Sequence, residues 1–306
     1  MSSKKYLILG GNGFIGKNLC EYIVNKGDHV TSFDREFPEE RMKKIEYVRG
    51  DFFSDDFLRE TVCQYDIIVH AISTINPGNS NECYMNGYGR DLVQTVKMCT
   101  WIKDTDKKVL FLSSGGTVYG DCKIQPIKED TLPKPINHYG NVKLCIENAL
   151  RIFHIQNRLN IRIARISNPY GPGQDFRKGV GFIDAVLKQA LGGQQVEIWG
   201  DGENIRDYIY IQDVCGALYA LSKYEGDEYL FNVSSNTGIS QNQVIEEIEK
   251  LGISVQVTYK PRRSVDARKI ILDNKKILSI YNDNLLSFHD GLEKYYKYLV
   301  EKRMKE

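Results

Sequence analysis

The chain has no surplus of charge of either sign: 41 lysines and arginines stand against 40 aspartates and glutamates, a formal net of +1. That balance offers no basic footprint for nucleic-acid phosphates or an anionic membrane surface, so neither is an expected partner. A local basic pocket for a phosphorylated small molecule stays open. Long apolar runs are also missing. The stretch behind Lys4 and Lys5 is cut by glycines and Asn12, and no run approaches the roughly 20 apolar residues of a membrane span. The seven cysteines, at 20, 63, 83, 99, 122, 145 and 215, are odd in number and form no Cys-x-x-Cys. That spacing gives no zinc framework and suits reduced thiols in a cytosol, most of them as small core residues. The expectation is a soluble, cytoplasmic protein without a structural metal. Its 306 residues suffice for one large domain or two smaller ones.

What the chain does have is alternation. Apolar runs of strand type occur at residues 6–9, 29–33, 45–49, 65–70, 108–112 and 160–165, and helical patterns at 14–24, 55–64, 86–104 and 139–157. Regular strand–helix alternation predicts a Rossmann-type, doubly wound parallel α/β sheet with ligands at the carboxyl ends of its strands. After about residue 167 the alternation weakens and turns multiply, which predicts a smaller C-terminal substrate-binding lobe. The expected division is 1–167 with 207–233 for the nucleotide-binding part, and 168–206 with 234–306 for the lobe.

The first strand stops at Gly10-Gly11-Asn12-Gly13-Phe14-Ile15-Gly16. Gly10, Gly13 and Gly16 follow Gly-x-x-Gly-x-x-Gly, a spacing variant of the dinucleotide fingerprint. Glycine suits a sharp turn that brings backbone close to a pyrophosphate, while the amides of the following helix, from Phe14 and Ile15 onward, donate to it. The second strand ends at Asp34, eighteen residues after Gly16, near the spacing of about 20 at which a carboxylate reaches the adenosine ribose. Asp34 would repel a 2′-phosphate, which favours NAD over NADP, although Arg35 beside it opposes that preference. Mid-chain, Tyr139-Gly140-Asn141-Val142-Lys143 sets a phenol and an ammonium one helical turn apart. A free tyrosine near pKa ~10 is a poor base at neutral pH, and a cation one turn away, with a positive nicotinamide ring close by, would favour its phenolate. A dinucleotide turn plus such a pair points to hydride chemistry on an alcohol or ketone.

The order and spacing of several further pieces are specific. They are Gly50-Asp51, Ser113-Ser114-Gly115-Gly116-Thr117-Val118-Tyr119-Gly120, Asn168-Pro169-Tyr170-Gly171, Arg206-Asp207-Tyr208-Ile209 and Arg263-x-x-Asp266. Together with the glycine turn and the Tyr/Lys pair they resemble the extended short-chain dehydrogenases. Within these the chain resembles the NAD-dependent sugar-nucleotide epimerase/dehydratase family from about residue 4 to about 275, and most closely its UDP-glucose 4-epimerase-like members. The resemblance implies that Tyr139 exchanges a proton with a sugar hydroxyl and that Lys143 binds the nicotinamide ribose. It also implies cofactor contacts at Asp51, Phe52, Ala71, Asn86 and Ser113. For the substrate it implies Asn168 and the arginines Arg206 and Arg263 at a diphosphate, Val180 and Ile198 near the base, and Asp266 near the ribose. A homodimer is implied as well. Arg206-Asp207 is also open to a purely structural reading as an ion pair.

One departure matters. Where epimerases of this family usually carry Ser or Thr in the loop before Val-Tyr-Gly, this chain has Gly115, so the hydroxyl that orients the substrate falls to Thr117 or Ser114, or the role is missing. Thr117 is the preferred candidate. Related dehydratases need Asp-Glu here to eliminate water, and this chain has Gly116-Thr117. The implied activity is 4-epimerisation of a nucleotide sugar, with a 4-reductase or dehydrogenase as the rival. A 4,6-dehydratase or a non-catalytic NAD-binding sensor ranks below both.

Overall fold

The structure, a computed structural model, describes residues 4–178, 180–261 and 267–304. Six strands form where the apolar runs predict them: β1 (Lys5–Leu9), β2 (His29–Asp34), β3 (Glu46–Arg49), β4 (Ile67–His70), β5 (Lys108–Ser114) and β6 (Asn160–Ile166). Between them run α1 (Phe14–Asn25), α2 (Asp55–Val62), α3 (Tyr84–Asn86), α4 (Val93–Ile102), α5 (Gly115–Val118) and α6 (His138–Asn157). Then come β7 (Asn168–Tyr170), α7 (Phe182–Leu191), β8 (Val196–Trp199), β9 (Ile205–Tyr210), α8 (Ile211–Lys223) and β10 (Leu230–Val233). The chain closes with β11 (Gly238–Ser240), α9 (Gln241–Lys250), β12 (Val257–Lys260), β13 (Lys269–Ile270), α10 (Lys275–Leu278) and α11 (Phe288–Arg303).

The main sheet has seven strands in the order β10-β6-β5-β4-β1-β2-β3, all paired in parallel. Alternate residues of a strand face opposite sides, and here both sides are buried. Tyr6 and Ile8 of β1 pack with α1 and α8 through Ile23, Val214 and Leu218. Leu7 and Leu9 pack on the other face with Met98, Ile146 and Leu150 of α4 and α6. The strand order reverses between β1 and β4, which opens the crevice where ligands of such sheets bind.

The helical pattern at 86–104 resolves into three pieces. A π-helical turn at Gly87–Leu92 joins α3 to α4, so the turn is wider by one residue than an α-helix. Gly87 is buried at that turn, and a Cβ there would lie 2.5 Å from Ile75 Cδ1 and 2.8 Å from Val142 Cγ2. The second lobe carries a small sheet, β11-β9-β13 with β7 on β9, and a two-stranded β8–β12 ribbon. Its core joins Tyr170, Ile183, Leu187, Ile198, Tyr208 and Tyr295. Strand β9 lies in this small sheet, whereas α8 and β10 return to the main one.

Candidate active site

The carboxyl ends of the central strands open on a cavity of about 710 Å³ that runs from the glycine turn to the second lobe. At one end, Gly10 has φ +84°, a backbone conformation that L side chains rarely adopt. Gly16 sits so close to the turn that a Cβ would fall 2.2 Å from the Gly10 carbonyl oxygen. Helix α1 starts from Gly13 with no acidic residue in its first turn, leaving free amides and a positive dipole end aimed at the cavity. The Asp34 carboxylate ends β2 and accepts from the amides of Asn12 (3.1 Å) and Arg35 (2.8 Å). Arg35 is exposed. This cradle fits a dinucleotide pyrophosphate with a ribose beyond it, and Gly10, Gly13, Phe14, Ile15, Gly16 and Ala71 all line the cavity.

Asp34 and Arg35 do not themselves line the cavity, and neither do three further expected cofactor positions. Asp51 is exposed, does not line the cavity, and its carboxylate accepts the Phe53 amide (3.0 Å). The Phe52 side chain is 2% exposed and belongs to the core, 5.1 Å from the His70 ring. Asn86 is exposed and turned away from the cavity. In the π turn that follows it, the buried residues are Gly87 and Asp91. Asp91 is 1% exposed, and its Oδ2 accepts from the Thr74 amide (2.8 Å) and the Ser73 hydroxyl (3.2 Å).

Helix α6 is capped by Asn137, whose side chain accepts the Gly140 amide at 2.8 Å. Tyr139 and Lys143 lie on its cavity side with Ser113 and Ser114 of β5 opposite. The Lys143 Nζ is 5.7 Å from the Tyr139 ring centroid and donates to the Leu112 carbonyl at 3.0 Å. Burial pulls the Lys143 ammonium down to about 8, against the fields of Asp91 and Glu147. The protein's own groups do not lower the phenol's pKa. Burial pushes Tyr139 up to about 12 and Asp91 adds to the rise, while a hydrogen bond with Ser114 opposes it. In this environment Tyr139 is a neutral acid at physiological pH. His70, at the end of β4, is wholly buried between Phe52 and Phe111, and burial holds it neutral with a pKa of about 3.

The loop after β5 explains its own departure. A Cβ on Gly115 would meet Leu272 Cδ1 at 2.2 Å and the Arg165 carbonyl oxygen at 3.1 Å. A side chain there would require Leu272 to shift, and with glycine in place hydroxyls come only from its neighbours. Ser114 bonds the phenol. Thr117 lines the cavity, and its Oγ1 is buried with no hydrogen-bond partner among the described residues. Behind the pair, Glu147 accepts from Ser113 and holds Arg165 through Nη2 (2.6 Å) and Nε.

Toward the second lobe the cavity is lined by Asn168, Val180, Trp199, Asn204, Arg206 and Gln241, among others. Asn168 Nδ2 donates to the Asp207 carbonyl at 3.0 Å. The Ile198 side chain is fully buried in the lobe's core, and it is Trp199 that faces the cavity. Arg206 faces the cavity, whereas Asp207 is buried and accepts from Ser235, Asn236 and Leu272 amides. Alternation along β9 sends the two side chains to opposite faces. Arg263 and Asp266 lie outside the described residues. Sequence reasoning missed Asp91, Gln174, Asn204 and Gln241, since no local period or motif marks them. The buried carboxamide oxygens of the last three have no partner among the described residues.

The family model described as NAD dependent epimerase/dehydratase matches residues 6–234. The chain belongs to that family. It is thus an NAD-dependent enzyme with NAD as its cofactor, and the glycine cradle at α1 fits that molecule. A dTDP-4-dehydro-6-deoxyglucose reductase of Escherichia coli is 33% identical over 291 residues, 89% of this chain and 90% of that protein. The UDP-glucose 4-epimerase of Thermotoga maritima, solved with UDP-glucose, superposes with a TM-score of 0.91 at 26% identity, covering 97% of this chain and 99% of that one. MoeE5 in complex with UDP-glucuronic acid and NAD gives a TM-score of 0.87 at 25% identity, with coverage of 97% and 99%. Among the described residues no helix is long and apolar enough to cross a membrane, and no group of His, Cys, Asp and Glu is arranged to hold a metal ion.

Proposed function

We propose that this enzyme epimerises a nucleotide-activated sugar, UDP-linked, at C4. The observation that carries the reading is the convergence of Tyr139, Lys143 and Thr117 on one cavity, with the glycine cradle at one end and Arg206 at the other. In this reading NAD, when bound, accepts and returns a hydride. Tyr139 exchanges the proton of the 4-hydroxyl, and Ser114 holds the phenol in line. Thr117 orients the sugar, and Lys143 holds the ribose beside it. Asn168 and Arg206, with Arg263, face a diphosphate with fork-shaped donors. The base end is bounded by Val180 and the β8 strand. Residues 1–167 with 207–233 would form the nucleotide half, and 168–206 with 234–306 the substrate half. The likeness to the Thermotoga epimerase and the absence of a carboxylate at Gly116-Thr117, which elimination requires, support this choice.

A second reading is a nucleotide-sugar 4-reductase. It is favoured by the 33% identity to the Escherichia coli reductase and by the neutral Tyr139 phenol, which is ready to give a proton to a ketone oxygen. One experiment separates the two: a panel of nucleotide sugars followed by NMR, with and without added NADH. Interconversion of 4-epimers without added cofactor supports the epimerase. Stoichiometric NADH consumption on a 4-keto sugar supports the reductase. A homodimer belongs to the proposal too. Exposed Val93 on α4 and Ile152 and Ile155 on α6 are its apolar candidates, and light scattering measures it.

A further inference from the structure

The loop from β7 to α7, with the first turn of that helix, forms one wall of the cavity, at Gln174, Val180, Gly181, Phe182 and Ile183. It begins with Gly171 and Gly173 at φ of +138° and +88°, bends that glycine permits but does not itself hold. Hydrogen bonds from two sides hold it. Asn18 of α1 donates from Nδ2 to the Pro172 carbonyl at 2.9 Å. From α7, the Asp184 carboxylate accepts the Phe176 amide at 2.7 Å, and Lys188 Nζ donates to the Gln174 carbonyl at 2.8 Å. The Gln174 side chain then carries the wall inward. Its Nε2 donates to the Pro169 carbonyl at 3.1 Å, and a Cβ on Gly181 would lie 2.8 Å from its Cδ.

Asp184 is 0% exposed. Lys188 Nζ lies 2.8 Å from its Oδ1 and 3.0 Å from its Oδ2, and the Tyr295 hydroxyl of α11 donates to Oδ1. Burying a carboxylate is costly unless it is paired and hydrogen-bonded. For stability alone, apolar groups of similar volume often serve as well as a buried ion pair. Apolar groups could not grip the Phe176 amide and the Gln174 carbonyl, the two bonds by which this pair reaches the cavity wall. Tyr295 differs, because its hydroxyl bonds the carboxylate and not the loop.

We propose that Asp184 and Lys188 are positioning residues for the substrate, an ion pair that sets the wall against which its nucleotide end packs. The role rests on the nucleotide-sugar reading, but its first readout needs no nucleotide. The full-length protein, loaded with NAD, is followed by hydrogen–deuterium exchange in peptides that contain Phe176. Asp184→Asn and Lys188→Met should speed exchange there by about tenfold, the scale of one lost hydrogen bond to a charged group. Peptides from β1 and β4 should not change. Calorimetric titration with UDP and with dTDP should find affinity about tenfold weaker in the same two variants, since a loosened wall must be ordered on binding. NAD affinity should stay as it is. Tyr295→Phe is the control for a purely structural role: it should lower Tm and leave both readouts near those of the unmodified protein. Lys188 is partly exposed, so Lys188→Met carries the test if Asp184→Asn fails to fold. Unchanged exchange at Phe176 in the folded loop variants overturns the inference. Nucleotide affinity that is unchanged in them, or that falls equally in Tyr295→Phe, overturns it as well. An unmodified protein that binds neither nucleotide removes the proposed function instead, and exchange at Phe176 still decides whether the pair holds the wall.

Discussion

Replacing Thr117 by valine should make the protein more stable and the enzyme slower. The Thr117 Oγ1 is buried and without a partner among the described residues, and a buried hydroxyl without a hydrogen bond costs roughly 1–3 kcal/mol. Valine keeps the branched shape and removes that cost. With an unfolding entropy of about 2.1 cal/mol/K per residue, a gain of about 1 kcal/mol in a chain of this length raises Tm by about 1.5 °C. Turnover should fall by about tenfold or more with little change in KM, because a hydroxyl that aligns the sugar acts mainly in the transition state. Calorimetry on ligand-free protein and steady-state kinetics on the accepted nucleotide sugar give the two numbers. Ser114→Ala is the control with the opposite expectation for stability, since Ser114 already bonds the phenol. A Thr117→Val variant with lowered Tm and unchanged kcat would refute the reasoning, because the hydroxyl would then be satisfied inside the protein and idle toward substrate.

Tyr139→Phe should keep the fold and NAD affinity while lowering turnover by about 10²–10⁴-fold, the usual worth of a positioned proton donor; calorimetric NAD titration and kinetics check both halves. If Asp34 meets the adenosine ribose, NAD should bind far more tightly than NADP, and Asp34→Ala should narrow the gap. Equal affinities in the unmodified protein would assign that end of the site to Arg35. His70 is held neutral with a pKa of about 3 against 6.5 for a free side chain. As pH falls below about 6.5 the unfolded chain gains a proton that the folded one refuses, so stability drops with a slope approaching 1.4 kcal/mol per pH unit down to about 3. Urea unfolding at several pH values should find that slope reduced in His70→Phe, and an identical slope in both proteins would mean that other groups carry it.

The sequence by itself determined the strand–helix alternation, the glycine turn and the one-turn spacing of Tyr139 and Lys143. These depend on local periods of two and 3.6 residues and on backbone that only glycine tolerates, so a linear reading suffices for them. The helix capped by Asn137 and the sharp bend at Gly10 needed no distant partner to be foreseen. The remainder depends on burial, which arises between segments far apart in the chain. Leu272, 157 positions from Gly115, fills the space a side chain there would need. The π turn buries Gly87 and Asp91, a register that no α-helical period contains. Desolvation by the residues packed around it raises the pKa of Tyr139 although a lysine lies one turn away. Spacing fixed which groups meet along a helix, but the surrounding packing fixed their charge, because the energy of an ion is set by everything that displaces water from around it.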